Sequence, residues 1–275
     1  MRIIGAVATI IFAAASAHAE SHRLDKKWET QAQLKIPESV LFDAQRKVLY
    51  VSNIDGEPWA NDGKGSIGKV GLDGKVIAVD WVSGLNAPKG MALRGSMIYV
   101  GDLTQVVVID IDKGAVTDRI TVSGAEGLND VAIDSAETVY VSDTKTKKVF
   151  AIKDGQSSTY LENLRGPNGL LFHDGALYVL DGEGLYRVGS NRTLELLSDG
   201  MPGGVDGVEN VTGTDFIVSC WHGTIYYVKG DGTRTVLLDT HEQKINSADI
   251  GYDPRNRVVY VPTFFKNTVV AYELK

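Results

Sequence analysis

The chain has 275 residues, with 35 Asp and Glu against 28 Lys and Arg, a formal net charge of −7. That acidic balance argues against a nucleic-acid partner, whose phosphates would want a basic stripe. The single cysteine, Cys220, excludes an internal disulfide, so an exported protein of this size must rely on its core.

Residues 1–19 read as a secretory signal. Arg2 is the charged region, Ile3 to Ala15 the apolar stretch, and Ala17, His18 and Ala19 a small-x-small cleavage site. The stretch is too short to span a bilayer, and no later segment approaches the roughly 20 apolar residues of a membrane helix. The expectation is a periplasmic or secreted protein, with residues 20–275 as one domain.

Six repeats follow: PESVLFD from Pro37, PKGMALR from Pro88, LNDVAID from Leu128, PNGLLFH from Pro167, VDGVENV from Val205 and SADIGYD from Ser247. Each leads into a strand-like run such as VLYVSN, MIYVGD or TVYVSD. Short alternating runs, rich in β-branched and aromatic residues and broken by Asp-Gly, Lys-Gly and Ser-Gly pairs, predict about four strands per unit. Self-similarity at about 40 residues with four strands each predicts an all-β, six-bladed β-propeller. The last unit ends one strand short, and Trp28 to Leu34 (WETQAQL) is the segment expected to supply that strand and close the ring.

The first unit is the longest, its excess lying in IDGEPWANDGKG from Ile54 to Gly65. The insertion is expected to overhang the start of the first strands, with Pro58 and Trp59 as a lid; the competing reading is a plain surface loop. Gly63 to Gly68 matches a dinucleotide GxGxxG pattern but opens a strand rather than a helix, so the match has no mechanism.

In a propeller the first strand of each blade lines the axis, so the second residue of every repeat converges there. These are Glu38, Lys89, Asn129, Asn168, Asp206 and Ala248. Glu38, Asn129, Asn168 and Asp206 offer oxygen and nothing softer, which suits Ca²⁺ best, with Mg²⁺ or Mn²⁺ behind it. Taken singly, such residues are common in turns; four at one repeat offset favour a cation, because two carboxylates about 5 Å apart repel by roughly 3 kcal/mol at an effective dielectric of 20. Lys89 either adds positive charge that favours an anionic substrate, or replaces the metal as counter-ion.

Ends of second strands supply further candidates for the mouth: Asn53, Asp102, Asp143, Asp181, Trp221 and Phe264, as substrate-binding groups alongside Trp59. His222 is placed to shuttle protons, or is merely solvated. Cys220 reads as a small buried residue rather than a nucleophile.

The repeats PESVLFD, LNDVAID, PNGLLF and VDGVEN, each at its place, resemble those of the senescence-marker-protein/gluconolactonase family, which includes regucalcin and luciferin-regenerating enzyme. The resemblance implies one divalent metal, usually calcium, on Glu38, Asn129, Asn168 and Asp206, and hydrolysis of a small lactone or ester. It makes Asp206 the general base or nucleophile; Lys89, which departs from the family pattern, and His222 are further catalytic candidates by their own positions in the repeats. The second reading is a non-catalytic propeller that presents its mouth to a protein or glycan partner.

Overall fold

A computed structural model describes residues 22–275; the predicted signal, residues 1–19, lies outside them. The described chain forms six four-stranded antiparallel sheets arranged as the blades of a propeller. Five blades take four consecutive strands in chain order. Their inner strands are Pro37–Asp43, Pro88–Arg94, Leu128–Ile133, Pro167–His173 and Val205–Thr212. The sixth blade contributes Gly251–Asp253, Val258–Pro262 and Val269–Leu274, and the N-terminal strand Leu24–Glu29 completes it. No helix among the described residues is long and apolar enough to cross a membrane.

The ring closes as expected, but with an earlier segment. Leu24 lies opposite Leu274 and Glu29 opposite Val270, so only Trp28 and Glu29 belong to both the expected and the observed strand. Pairing ends at Thr30, whose amide donates to the Val269 carbonyl and whose hydroxyl accepts from the Val269 amide. Beyond it the chain turns inward and buries Leu34 against Val40, Leu49 and Val51. The alternation of Trp28 to Leu34 therefore straddles a strand end and a core anchor.

Each apolar cluster is shared by neighbouring blades, so each blade buries its faces against the next. Tyr178, Leu180 and Leu185 pack with Phe216, Val218 and Val228 of the next blade. Leu49 and Val51 of the first blade pack with Tyr260, Val269 and Ala271 of the last. Near the axis the inner strands come too close for side chains. A Cβ on Gly169 would lie 2.3 Å from the Asp206 carbonyl oxygen, and one on Gly90 only 2.6 Å from Asp130 Cα. The third residue of these repeats is glycine because a neighbouring backbone fills that space.

Candidate functional site

All five long inner strands break register immediately after their first residue: between Pro37 and Ser39, Pro88 and Met91, Leu128 and Val131, Pro167 and Leu170, and Val205 and Val208. Each irregularity contains a residue of the predicted ring: Glu38, Lys89, Asn129, Asn168 or Asp206. A bulge frees a residue from the ladder and re-aims its side chain. Here it does so once in each of five blades, and the five side chains converge on one cavity of about 340 Å³ at the mouth of the channel. Ala248, at the sixth offset, is fully buried in an apolar cluster with Ile54, Ala87 and Phe264.

The polar floor is tightly organised. Lys89 Nζ lies 3.9 Å from Glu38 Oε1, with both side chains buried. Asn168 Nδ2 donates to Asp206 Oδ1 at 3.0 Å. Asn129 Nδ2 donates to Thr144 Oγ1 at 3.1 Å, and that hydroxyl donates to the Pro167 carbonyl, linking two blades. Two buried oxygens, Glu38 Oε2 and Asn168 Oδ1, have no hydrogen-bond partner.

Burial pushes the Glu38 carboxyl up to about 7, although Lys89 pulls it down. Asp206 is raised well above the usual carboxylate range, first by burial and then by Glu38 and Asp249. Lys89 moves the other way: burial lowers it, against the pull of Glu38 and Asp206.

The orphaned carboxylate and amide oxygens are acceptors of the kind a hard cation takes. Among the described residues no three His, Cys, Asp or Glu side chains converge as a metal site, so a cation held here would need the two amides as well as the two carboxylates. The donor set fits such an ion, with the Lys89 ammonium as its nearest competitor for negative charge.

Pro58, Trp59 and Trp221, from loops, and Phe264, which opens the short 3-10 helix Phe264–Lys266, form the cavity walls. The insertion from Ile54 to Gly65 does reach over the mouth: Trp59 lies across Lys89, whose ammonium is 4.4 Å from its ring centroid. Trp221 meets Phe264 edge-on at 5.6 Å. Phe264 has a backbone φ of 50°, rare for a bulky residue. Phe265 points away and is 60% exposed.

Four expected wall residues do something else. Asp102 accepts from the amides of Asn86 and Ala87, at 2.9 and 2.8 Å. Asp143 accepts from those of Glu126 and Gly127, and Asp181 from those of Arg165 and Gly166. Asn53 accepts from the Lys35 amide and donates to the Val79 carbonyl. Each ties down the loop that delivers its own blade's inner strand, so none lines the mouth. His222 is also elsewhere, lining a separate cavity of about 320 Å³ with Asp239 and His241. Cys220 is fully buried and its thiol is pushed up to about 12 by that burial, as befits an inert core residue.

Sequence reasoning missed a second polar level one residue deeper. Ser39 Oγ donates to Asp249 Oδ2 at 2.5 Å, and Asp130 Oδ2 accepts from the Leu170 amide at 2.7 Å. These carboxylates, with Glu209, line a cavity of about 200 Å³ whose other walls include Val40, Met91 and Phe172. The signal was present: the third residue of the repeats is Ser, Gly, Asp, Gly, Gly, Asp, never apolar. Lys145 was also missed. Its ammonium sits 4.4 Å from the Trp59 ring centroid, and no repeat position marks it.

No family model and no curated protein sequence matches the chain. Among solved structures, a gluconolactonase of Xanthomonas campestris superposes with a TM-score of 0.69 at 15% identity, over 89% of this chain and 88% of that one. Virginiamycin B lyase of Staphylococcus aureus, solved with quinupristin, gives 0.66 at 13% identity over 93% and 100%. A protein of unknown function from Bacteroides thetaiotaomicron gives 0.67 at 14% over 92% and 73%. Likeness at this identity establishes the fold, and the fold carries different chemistries.

Proposed function

We propose that this protein is an exported, metal-dependent hydrolase of the gluconolactonase type, acting on a small lactone or ester in the mouth cavity. One observation carries the reading: five bulges, in five of the six blades, aim two carboxylates, two amides and one lysine into a single cavity that retains orphaned buried oxygens. Glu38, Asn129, Asn168 and Asp206 would hold the ion, Ca²⁺ by donor type. When bound, such an ion supplies Lewis-acid polarisation of a carbonyl.

The remaining chemistry belongs to the side chains. The Asn168 amide fixes Asp206 through Oδ1, which leaves Oδ2 to take a proton from water or to attack the carbonyl carbon itself. Lys89 places positive charge beside the site and favours a substrate that is anionic or becomes so on ring opening. Pro58 and Trp59 shield the reacting group from bulk water.

The test is turnover of a lactone, an aryl ester and a phosphotriester by purified protein loaded in turn with Ca²⁺, Mg²⁺ and Mn²⁺. Metal-dependent hydrolysis that Asp206→Asn abolishes in a folded variant supports the proposal. Absence of turnover with every metal, or turnover that Asp206→Asn leaves unchanged, defeats it.

The Lys89–Glu38 pair favours one second reading. There the ammonium serves as the permanent counter-ion and the mouth is a binding pocket. Pull-down of a specific envelope partner that survives Asp206→Asn would support that reading.

A further inference from the structure

Polar and apolar groups are segregated in the mouth. Every charged or amide side chain lies on the floor: Glu38, Lys89, Asn129, Asn168 and Asp206. The walls are Pro58, Trp59, Val205, Trp221 and Phe264, whose side chains carry no polar atom except two indole N–H groups. The strand-end residues Asn53, Asp102, Asp143 and Asp181 add no polar group to these walls, since each binds the backbone behind it.

The aromatic walls are held in place. Trp59 is flanked by the Lys89 and Lys145 ammoniums, each 4.4 Å from its ring centroid. It also packs against Gly127, where an added Cβ would come within 3.1 Å of Trp59 Cζ3. Phe264 is fixed by its left-handed backbone and by edge-on contact with Trp221.

We infer that the mouth selects a compact molecule with one polar, carbonyl-bearing head and an unhydroxylated ring or alkyl body: an apolar lactone or aryl ester rather than a sugar lactone. The inference rests on the hydrolase reading for the bond that is cleaved, but not for what binds. A single head group can use the whole floor at once, while the body lies against indole and phenyl faces. A sugar ring in the same place could lay its C–H face on those rings, but its rim hydroxyls would meet walls whose side chains offer only two indole N–H groups in exchange for water. An apolar pocket discriminates against one added hydroxyl by about 100-fold, and a sugar lactone carries several. Trp59, Trp221 and Phe264 are on this account the specificity-determining residues.

The experiment compares two matched pairs on the whole protein. Dihydrocoumarin and glucono-1,5-lactone probe hydrolysis; their lactams, 3,4-dihydroquinolin-2-one and gluconolactam, probe binding by calorimetry. Dihydroquinolinone should bind at least about 100-fold more tightly than gluconolactam. Trp59→Ala, on the half-buried part of its loop, and Trp221→Leu should each weaken dihydroquinolinone at least about tenfold and leave gluconolactam unchanged. If dihydroquinolinone binds so but neither lactone is hydrolysed, the hydrolase reading falls and the inference stands. Gluconolactam binding equal to or tighter than dihydroquinolinone overturns the inference, even if gluconolactone is turned over. So does failure of dihydroquinolinone to bind, or indifference of its affinity to both tryptophan substitutions.

Discussion

Lys89 Nζ and Glu38 Oε1 face each other at 3.9 Å across the floor of the mouth, with side-chain exposures of 4% and 6%. Neither is a comfortable buried ion: the ammonium is disfavoured by burial and the carboxyl is raised by it. Each is the other's main source of relief, and a cation on Glu38 and Asp206 would compete directly with the lysine.

Replacing Lys89 by Met should therefore act oppositely with and without metal. In chelator it leaves Glu38 uncompensated, and the loss of one partner of a buried pair typically costs about 3–5 kcal/mol. With calcium present, removal of a neighbouring positive charge should tighten binding at least about tenfold, or about 1.4 kcal/mol. Thermal melts in chelator and calorimetric titration with Ca²⁺ check both directions. Equal calcium affinity in Lys89→Met and wild type would mean that the lysine and the ion do not share the site.

Much of this arrangement was legible because it repeats. Matched offsets announced the blades and placed Glu38, Lys89, Asn129, Asn168 and Asp206 at one end of the axis, since a radial fold converts equal register into proximity. What could not be read was the direction of a polar side chain. Asp206 and Asp181 both stand beside a loop, yet one aims into the cavity and the other caps two backbone amides. The difference lies in the bulge, a backbone feature that composition does not record. The closing strand was displaced for a related reason: Leu34 continues an apolar alternation after the ladder has ended. Lys145 acts on Trp59 through tertiary contact alone, so no spacing could have marked it.

Asp143 should be a residue of stability rather than activity. Its carboxylate holds the amides of Glu126, Gly127 and Thr146, donors that Asp143→Ala would leave unpaired. A buried donor without a partner costs about 1–3 kcal/mol, so the variant should melt several degrees lower. Turnover per folded molecule, measured well below the melt, should fall no more than about threefold, because ring residue Asn129 is tied separately through Thr144.

Closure by Leu24–Glu29 makes a different prediction. That strand covers the edge of Val269–Leu274, and Trp28 donates to the Leu72 carbonyl at 2.9 Å while its ring packs on Gly74. Deleting residues 20–29 should expose a sheet edge and uncover the seam between the first and last blades. The expected result is a chain that aggregates or loses cooperative unfolding, seen by light scattering and circular dichroism. Deletion of residues 20–22 alone, which spares the strand but removes the His22 ring stacked on Tyr227 at 3.8 Å, should lower the melt far less and keep unfolding cooperative.

The deep cavity adds to the pH response that Glu38 and Asp206 give the metal-free protein. Burial pushes Glu209 up to about 8, helped by Asp249, against an ordinary value of 4.5. A folded state that holds its proton more tightly than the unfolded state is favoured where that proton is bound. The stabilisation is thus complete below about 4.5 and lost as pH rises toward about 8. One such group lowers stability by at most about 1.4 kcal/mol per pH unit across that window. Asp249, pushed up to about 8, and Asp130, raised well above its usual range, slope the same way. Glu209→Gln keeps the neutral shape and should flatten the fall without removing it, giving a variant more stable than wild type at pH 8 and similar at pH 5. Denaturant midpoints across that range, in chelator, provide the measurement. An unchanged slope would show that Glu209 ionises as readily in the channel as in water, and that the pH response belongs to Asp130, Asp249 and the mouth carboxyls Glu38 and Asp206.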